Sequence, residues 1–251
     1  MNKKTVLITG ATSGIGLETA RVFAKNNFNI ILCGRRVERL KTLKGEFDKH
    51  TKVHTLSFDV RNKEDVFKSI ASLPEAFSSI DVLINNAGNA HGLDTFQDGN
   101  TDDWDAMMDI NVKGLLYVTK AILPQMLEKN LGHIINIGST AAKEVYPKGG
   151  VYCASKAAVD SINQGLRIDL NGTRIKVGAI HPGLVKTEFS EVRFKGDKER
   201  AEKVYQGYQP LLPEDIAEII WFTVTRPQHV NIADLVVMPI DQASSTIVNR
   251  K

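Results

Sequence analysis

The sequence contains only two cysteines, Cys33 and Cys153, among 251 residues. Cys33 falls in a predicted strand and Cys153 in a predicted helix, a placement that is typical of neither a disulfide framework nor a metal site. We therefore predict no metal site, and we interpret Cys153 as a small packing residue.

Long apolar runs are also missing from the chain. No stretch reaches the roughly 18–20 apolar residues of a membrane-spanning helix, and residues 1–4 do not resemble the start of a secretory leader. The net charge is only +3 and the basic residues are scattered, so nucleic-acid binding is not indicated. These features favour a cytoplasmic protein without membrane or nucleic-acid partners.

The chain does contain a regular alternation of short apolar runs and longer amphipathic segments. Seven runs predict strands: Thr5–Thr9, Asn29–Cys33, Val53–Phe58, Val82–Asn85, His133–Ile137, Ile175–Ile180 and Leu235–Met238. Six segments predict helices: Gly16–Lys25, Val37–Lys44, Lys63–Ser72, Thr101–Leu127, Val151–Leu170 and Glu214–Thr225. Apolar strands separated by helices are typical of a parallel sheet covered on both faces. We predict a Rossmann-type, doubly wound α/β fold with a seven-stranded parallel sheet and helices on both faces.

No repeat, linker or low-complexity tract interrupts this alternation, so residues 1–251 are predicted to form a single domain. The exception to the alternation is segment 186–209, which is polar and charged and contains Gly196 and Gly207 as candidate hinges. A connection of this length predicts a lid over a functional site. Thr101, followed by acidic residues, is predicted to be a helix N-cap.

A glycine-rich turn follows the first predicted strand and opens the first predicted helix. Its glycines permit a tight turn and let the backbone approach a pyrophosphate at the positive end of the helix. A turn of this kind is weak evidence alone, but a strand and a helix on either side favour a dinucleotide site. The predicted cofactor contacts here are Gly10, Thr12, Ser13, Gly14, Ile15 and Gly16.

The end of the second predicted strand indicates which nucleotide binds. An NAD site usually has a carboxylate here for the ribose hydroxyl, whereas arginine accommodates the 2′-phosphate of NADP. This chain has Arg35 and Arg36, and its next acidic residue is Glu38. We therefore predict NADP as the cofactor; the alternative is that both arginines belong to a solvated helix start.

Two other predicted strands end in polar or small residues. Asp59 and Val60 follow the third strand, where a short acidic side chain can accept a hydrogen bond from adenine. Asn86, Ala87 and Gly88 follow the fourth, although an asparagine pair alone indicates only a turn. Because the carboxyl ends of parallel strands border the ligand crevice, both groups are predicted to contact the cofactor.

Tyr152 and Lys156 are four residues apart in a predicted helix and therefore lie on the same face. A neighbouring ammonium lowers the pKa of a phenol from about 10, so Tyr152 is predicted to be a general acid/base. Ser139, just after the fifth predicted strand, is positioned to hydrogen-bond a substrate oxygen. Taken singly, the three residues also suit structural roles, as a surface pair and an N-cap.

Together, T-G-x-x-x-G-x-G, N-N-A-G, Ser139 and Y-x-x-x-K resemble the short-chain dehydrogenase/reductase family in its NADP-dependent form. The resemblance covers essentially the whole chain and implies hydride transfer between a nicotinamide and a carbon atom. It implies four catalytic residues: Asn111, Ser139, Tyr152 and Lys156. In this family Asn111 holds a water of the proton relay and Lys156 grips the nicotinamide ribose.

The resemblance continues after the sixth predicted strand. It implies contacts with the nicotinamide end of the cofactor from Pro182, Gly183, Val185 and Thr187. The preceding His181 occupies a position that the family varies, so we interpret it as a hydrogen-bonded residue at a strand end without a catalytic role.

Segments 187–197 and 226–232 resemble one branch of the family, the NADP-dependent 3-hydroxy acid dehydrogenases. That branch acts on serine, allo-threonine, 3-hydroxyisobutyrate and malonic semialdehyde, which implies a small carboxylated substrate. Arg193 and Lys195 are the candidate carboxylate partners, and the sequence does not decide between them. Two alternatives stay open: a 3-oxoacyl-thioester or general carbonyl reductase, and a non-catalytic NADP-sensing protein.

The resemblance also implies a homotetramer, with helices 101–127 and 151–170 in the dimer contacts. The second of these helices carries small residues that let helices approach closely: Ala157, Ala158, Ser161 and Gly165. The alternative is that these residues only pack on the sheet.

Overall fold

The structure is a computed structural model that describes residues 3–251. Within these residues seven strands form: β1 (Thr5–Thr9), β2 (Asn29–Gly34), β3 (Val53–Ser57), β4 (Val82–Asn85), β5 (Gly132–Ile137), β6 (Ile175–Pro182) and β7 (Asp234–Val237). The α-helices within them are α1 (Gly14–Lys25), α2 (Val37–Phe47), α3 (Lys63–Ala71), α4 (Thr101–Met108), α5 (Leu115–Lys129), α6 (Gly150–Asp169), α7 (Phe189–Arg193), α8 (Lys198–Lys203) and α9 (Pro213–Val224).

All seven described strands form one parallel sheet in the order β3-β2-β1-β4-β5-β6-β7. The register places Val6 of β1 opposite Ile30 of β2 on one side and Val82 of β4 on the other. From β1 the strand order proceeds to one edge of the sheet through β2 and β3, and from β4 it proceeds to the other edge. Ligands of doubly wound folds bind at this switch point between β1 and β4. The predicted fold class is confirmed.

The core lies in two layers, one on each face of the sheet. Val6 and Ile8 of β1 pack with Phe23, Ile216 and other residues of α1, α2 and α9. Leu7, between them, points to the opposite face and packs against residues of α3 and α5. This alternation follows from the two-residue period of a strand, and each such buried side chain stabilises the fold by about 1.5–3 kcal/mol.

The prediction of a single helix over 101–127 is wrong. It is divided into α4 and α5 by a π-helical segment, Asp109–Gly114. A Cβ on Gly114 would lie 2.7 Å from Val60, so the wider turn presses against the end of β3 at a point that only glycine fits. The predicted N-cap is also wrong: Asn100 caps α4 by accepting a hydrogen bond from the backbone N–H of Asp102 at 2.7 Å.

Segment 186–209 contains two short helices, α7 and α8, which its polar composition did not predict. Asp197 caps α8 by accepting a hydrogen bond from the backbone N–H of Arg200 at 3.0 Å. Gly196 and Gly207 have φ angles of +93° and +80°, a conformation that favours glycine. Among the described residues, none of the helices combines the length and apolar character needed to cross a bilayer.

Candidate active site

A cleft of about 630 Å³ opens where strands β1, β2, β4, β5 and β6 end. This volume is in the range of small-molecule and cofactor sites. Every residue predicted to bind cofactor or substrate lines this cleft except Gly16 and Lys195. Among the predicted catalytic residues, Ser139, Tyr152 and Lys156 line it and Asn111 lies behind its wall. Residues that are distant in the sequence therefore meet at one site.

The glycine-rich turn is shaped by three glycines. Gly10 and Gly14 have φ angles of +65° and +51°, and a Cβ on Gly16 would overlap Asn86 and the carbonyl of Gly10. Helix α1 begins at Gly14, two residues earlier than predicted, and its cap residue Ser13 makes no side-chain bond to the helix. The N–H groups of the first turn therefore face the cleft as an anion site, which fits a dinucleotide pyrophosphate.

Two arginines at the end of β2 have different surroundings. Arg36 donates to Thr12 Oγ1 at 3.0 Å, to Ser13 Oγ at 2.6 Å and to Glu188 at 2.7 Å, so it ties the turn to the predicted lid. Among residues 3–251, the only ionic partner of Arg35 is Asp59 at 3.6 Å, and the Arg35 side chain is 61% exposed. Arg35 is therefore the freer of the two to bind a phosphate.

Sequence reasoning missed two other charged residues at this end of the cleft. Glu188 accepts from both Arg36 and Arg39, at 2.7 Å each. Arg39 lies on α2, nearly one turn after Arg36, a spacing that was visible in the sequence. Glu188 lies directly before α7, and no local sequence pattern predicts that it contacts Arg39 on α2.

The catalytic candidates Tyr152 and Lys156 lie one turn apart on α6, and both are buried. Ser139 Oγ accepts from the backbone N–H of Ala141 at 3.1 Å and caps a short 3-10 helix, Thr140–Ala142. Burial raises the pKa of Tyr152, and the nearby side chain of Ser139 opposes this rise. Ser139 therefore caps this helix and lines the cleft at the same time.

The predicted lowering of the Tyr152 pKa by Lys156 is not seen in this structure. Burial raises the pKa of Tyr152 above its usual value of 10, and the groups that oppose this are Ser139 and Arg193. Lys156 Nζ donates instead to the carbonyl of Ile137 at 2.9 Å. Burial lowers the pKa of Lys156 to about 8.

Asn111 lies in the π-helical segment and is fully hydrogen-bonded. Its Nδ2 donates to the carbonyl of Asn89 at 2.8 Å and to Ser155 Oγ at 2.9 Å, and its Oδ1 accepts from the N–H of Asn89 at 2.8 Å. The side chain thus ties the chain after β4 to α6. It packs directly behind Gly88, where an added Cβ would lie 3.0 Å from its Oδ1.

A family model described as short chain dehydrogenase matches residues 4–198 of this chain. The chain belongs to the short-chain dehydrogenase family. The predicted family and the predicted class of enzyme, an oxidoreductase, are confirmed by this match and by the relatives that follow.

Three similar proteins illustrate the range of the match. The NADP-dependent 3-hydroxy acid dehydrogenase YdfG of Salmonella typhi is 50% identical over 239 residues, which cover 95% of this chain and 96% of that protein. Sulfoacetaldehyde reductase 2 of Chromohalobacter salexigens is 46% identical over 241 residues, or 96% of each. The solved closed form of serine dehydrogenase complexed with NADP+ has a TM-score of 0.93 at 47% identity, covering 98% of this chain and 100% of that chain.

The two basic residues predicted to meet the substrate in this short-chain dehydrogenase lie in different places. The guanidinium of Arg193 lies 5.6 Å from the ring centre of Tyr152 and 5.4 Å from that of Tyr146. Its Nε donates to the carbonyl of Gly92 at 3.1 Å, and its Nη2 is buried without a hydrogen-bond partner among residues 3–251. Lys195 instead pairs with Asp103 at 2.9 Å. Arg193 therefore reaches Tyr152, and Lys195 does not.

Replacing Lys156 by methionine is expected to change how stability depends on pH. Because the pKa of Lys156 is about 8 when folded and 10.5 ordinarily, the unfolded chain binds more protons between these values. Wild-type stability relative to Lys156→Met should then be lowest below pH 8 and rise by about 3 kcal/mol toward pH 10.5. Urea unfolding of both proteins across this range measures the difference, and a constant difference would contradict the lowered pKa of Lys156 in the folded protein.

Proposed function

We propose that this enzyme transfers a hydride between NADP and a 3-hydroxy acid, such as serine, allo-threonine or 3-hydroxyisobutyrate, or reduces malonic semialdehyde. The observation that carries the proposal is the guanidinium of Arg193 beside Tyr152, with a buried Nη2 that has no partner among the described residues. A buried charged donor without a partner is costly, and a ligand carboxylate would satisfy it. The names of the similar dehydrogenases support the same substrate class.

In the proposed reaction NADP+ supplies the hydride acceptor when it is bound. Tyr152 takes the proton of the substrate hydroxyl, and Ser139 donates a hydrogen bond to the same oxygen. Lys156 Nζ donates one hydrogen bond to the carbonyl of Ile137 and has further N–H donors with which to bind the nicotinamide ribose. A positive charge near Tyr152 favours the phenolate, and Arg193 already provides one. Asn111 positions the segment after β4 and supports the proton relay.

The proposed cofactor contacts follow the cleft from end to end. The glycine-rich turn holds the pyrophosphate, and Arg35 and Arg36 hold the 2′-phosphate. Asp59 and Val60 border the adenine. The nicotinamide end is proposed to contact Asn86, Ala87, Gly88, Pro182, Gly183, Val185 and Thr187.

Arg35→Ala is expected to weaken NADPH binding about 10–100-fold and NADH binding much less, because a hydrogen-bonded charge contributes about 1.5–3 kcal/mol. The exposed Arg35 supports nothing else in the cleft, whereas Arg36 also holds Thr12 and Ser13. Arg36→Ala is therefore the comparison, expected to weaken both nucleotides. Fluorescence titration gives the four dissociation constants, and equal losses of NADPH and NADH in Arg35→Ala would contradict its 2′-phosphate role.

The substrate class is tested by NADP+-dependent oxidation of L-serine, L-allo-threonine and 3-hydroxyisobutyrate beside a neutral secondary alcohol of similar size. A higher kcat/KM for the acids supports the proposal. Preference for the neutral alcohol would favour a general carbonyl reductase. NADPH binding without turnover of any carbonyl compound would favour an NADP-sensing protein.

A sulfonated substrate is the second candidate. A guanidinium binds a sulfonate by the same paired hydrogen bonds as a carboxylate, so Arg193 suits both. One similar protein, 46% identical, is named a sulfoacetaldehyde reductase. Comparing sulfoacetaldehyde with malonic semialdehyde at equal NADPH concentration separates the two: the larger kcat/KM identifies the anion that the site prefers.

We further propose that the protein acts in the cytoplasm as a homotetramer of single-domain subunits, with segment 186–209 as a substrate lid. The exposed apolar residues Leu116 on α5 and Ile168 on α6 support contacts between copies at these helices. A monomeric mass by light scattering at micromolar concentration would contradict the assembly.

A further inference from the structure

His181, at the end of β6, lies against the backbone of Ser139. It is wholly buried, and its Nδ1 is 3.3 Å from the backbone nitrogen and 3.2 Å from the carbonyl oxygen of Ser139. The ring also fills the space where Gly138 lacks a side chain, since a Cβ there would overlap the imidazole. The histidine therefore contacts the loop that carries Ser139, and it does not line the cleft in which the reaction is proposed to occur.

The other edge of the imidazole faces two carboxylates. Its Nε2 lies 2.9 Å from Oδ1 of Asp234 on β7 and 3.5 Å from Oδ1 of Asp160 on α6, at angles outside hydrogen-bond geometry. Lys143 donates to the second oxygen of each carboxylate, at 2.6 Å and 3.0 Å respectively. Because Lys143 already supplies the cation between the carboxylates, this cluster is not proposed as a metal site.

The carboxylates determine where the neutral imidazole carries its proton. A lone pair on Nε2 would face two negatively charged oxygens, so the proton belongs on Nε2. Nδ1 is then an acceptor and takes the hydrogen bond from the Ser139 backbone N–H. With the proton on Nδ1, the ring would turn to the Ser139 carbonyl instead. Both backbone groups of Ser139 lie within reach of Nδ1, so the tautomer selects which of the two forms the hydrogen bond.

We infer that His181 is a positioning residue for the reaction, which fixes the backbone of Ser139 through the tautomer that Asp234 and Asp160 select. This rests on the proposed function, in which Ser139 orients the substrate oxygen. A misplacement of about 1 Å in a positioning group can cost about 100-fold in rate. Burial lowers the pKa of His181, as does Lys143, while Asp234, Asp160 and the Ser139 backbone raise it; the net direction is downward, which keeps the ring neutral.

The test compares two amide substitutions. His181→Asn places an amide oxygen where Nδ1 stood and keeps the bond to Ser139, whereas His181→Gln places its amide near Nε2 and loses that bond. We expect kcat within about 3-fold of wild type for His181→Asn and a loss of about 10–100-fold for His181→Gln. The Kd for NADPH should be unchanged in both, because His181 does not touch the cleft. Equal losses in the two variants would overturn the inference.

A second measurement does not depend on turnover. Nitrogen NMR of the histidine rings distinguishes a protonated from an unprotonated nitrogen, and His181→Asn identifies the signals of His181. An unprotonated Nδ1 near neutral pH is expected, and a protonated Nδ1 would overturn the inference. If the wild-type enzyme oxidises only a neutral alcohol, the proposed substrate class is wrong. The kcat values of His181→Asn and His181→Gln can then be compared on that alcohol, so the inference about His181 is still tested. The two failures are therefore distinguishable.

Discussion

Tyr152→Phe is expected to lower kcat by about 10²–10⁴-fold, the contribution of a positioned general acid or base. The substitution removes only the hydroxyl that is proposed to exchange a proton with the substrate oxygen. The ring remains, so its packing against Phe189, with ring centres 5.7 Å apart, should persist. Steady-state oxidation of the preferred substrate, with single-turnover measurements where the rate is very low, gives the loss.

The control for Tyr152→Phe is cofactor binding. Its Kd for NADPH should stay within a few-fold of wild type, because the proposed ribose contact comes from Lys156 and the phosphate contacts lie at the other end of the cleft. Retained turnover would refute the role of Tyr152 in proton transfer. Lost turnover together with lost NADPH binding would indicate a collapsed cleft instead, and thermal unfolding of the variant would show it.

Arg193→Met is expected to raise KM for carboxylated substrates by about 10–150-fold, since a hydrogen bond to a charged group contributes about 1.5–3 kcal/mol. Methionine keeps much of the apolar stem but removes the guanidinium that lies over Tyr146 and Tyr152. Burial raises the pKa of Tyr152 and the charge of Arg193 opposes this rise, so some loss of kcat at neutral pH should accompany the change in KM. Kinetics on an acid and on a neutral alcohol separate the two effects.

Lys195→Met is the matched control for Arg193→Met. Lys195 has the same charge and lies two residues away, but it pairs with Asp103 and its side chain is 61% exposed. Its replacement should leave KM for the acids within about 2-fold of wild type, because an ion pair in contact with solvent is screened and contributes little. An equal increase of KM in the two variants would mean that Arg193 does not bind the substrate carboxylate. An equal effect of Arg193→Met on KM for acids and for neutral alcohols would mean the same.

Much of the fold was predictable because the signals are local. The apolar runs of β1 and β4 match their observed bounds, and the other strands differ at their ends by one or two residues. Short, continuous apolar runs can be buried only between layers of helices. The glycine-rich turn was equally clear, because its backbone conformation at Gly10 and Gly14 requires residues without a side chain.

The prediction over 101–127 failed for a reason that lies outside the segment itself. Its apolar pattern continues through Asp109–Gly114, and nothing local marks a wider turn. The π-helical segment is associated with contacts made elsewhere: Asn111 bonds to Asn89 and Ser155, and Gly114 packs on Val60. Wider turns of this kind often mark functional sites.

The sequence by itself determined the parallel α/β fold, the dinucleotide turn and the residue types of the reaction. These follow from periodicity, from the backbone freedom of glycine and from the spacing of side chains within a helix. Three features were decided only by the tertiary structure. Arg193 is the basic residue that approaches Tyr152, Glu188 pairs with Arg36, and His181 lies against the backbone of Ser139. Each of these depends on how distant segments cross, and no local pattern of residues encodes the direction in which a loop brings its side chains.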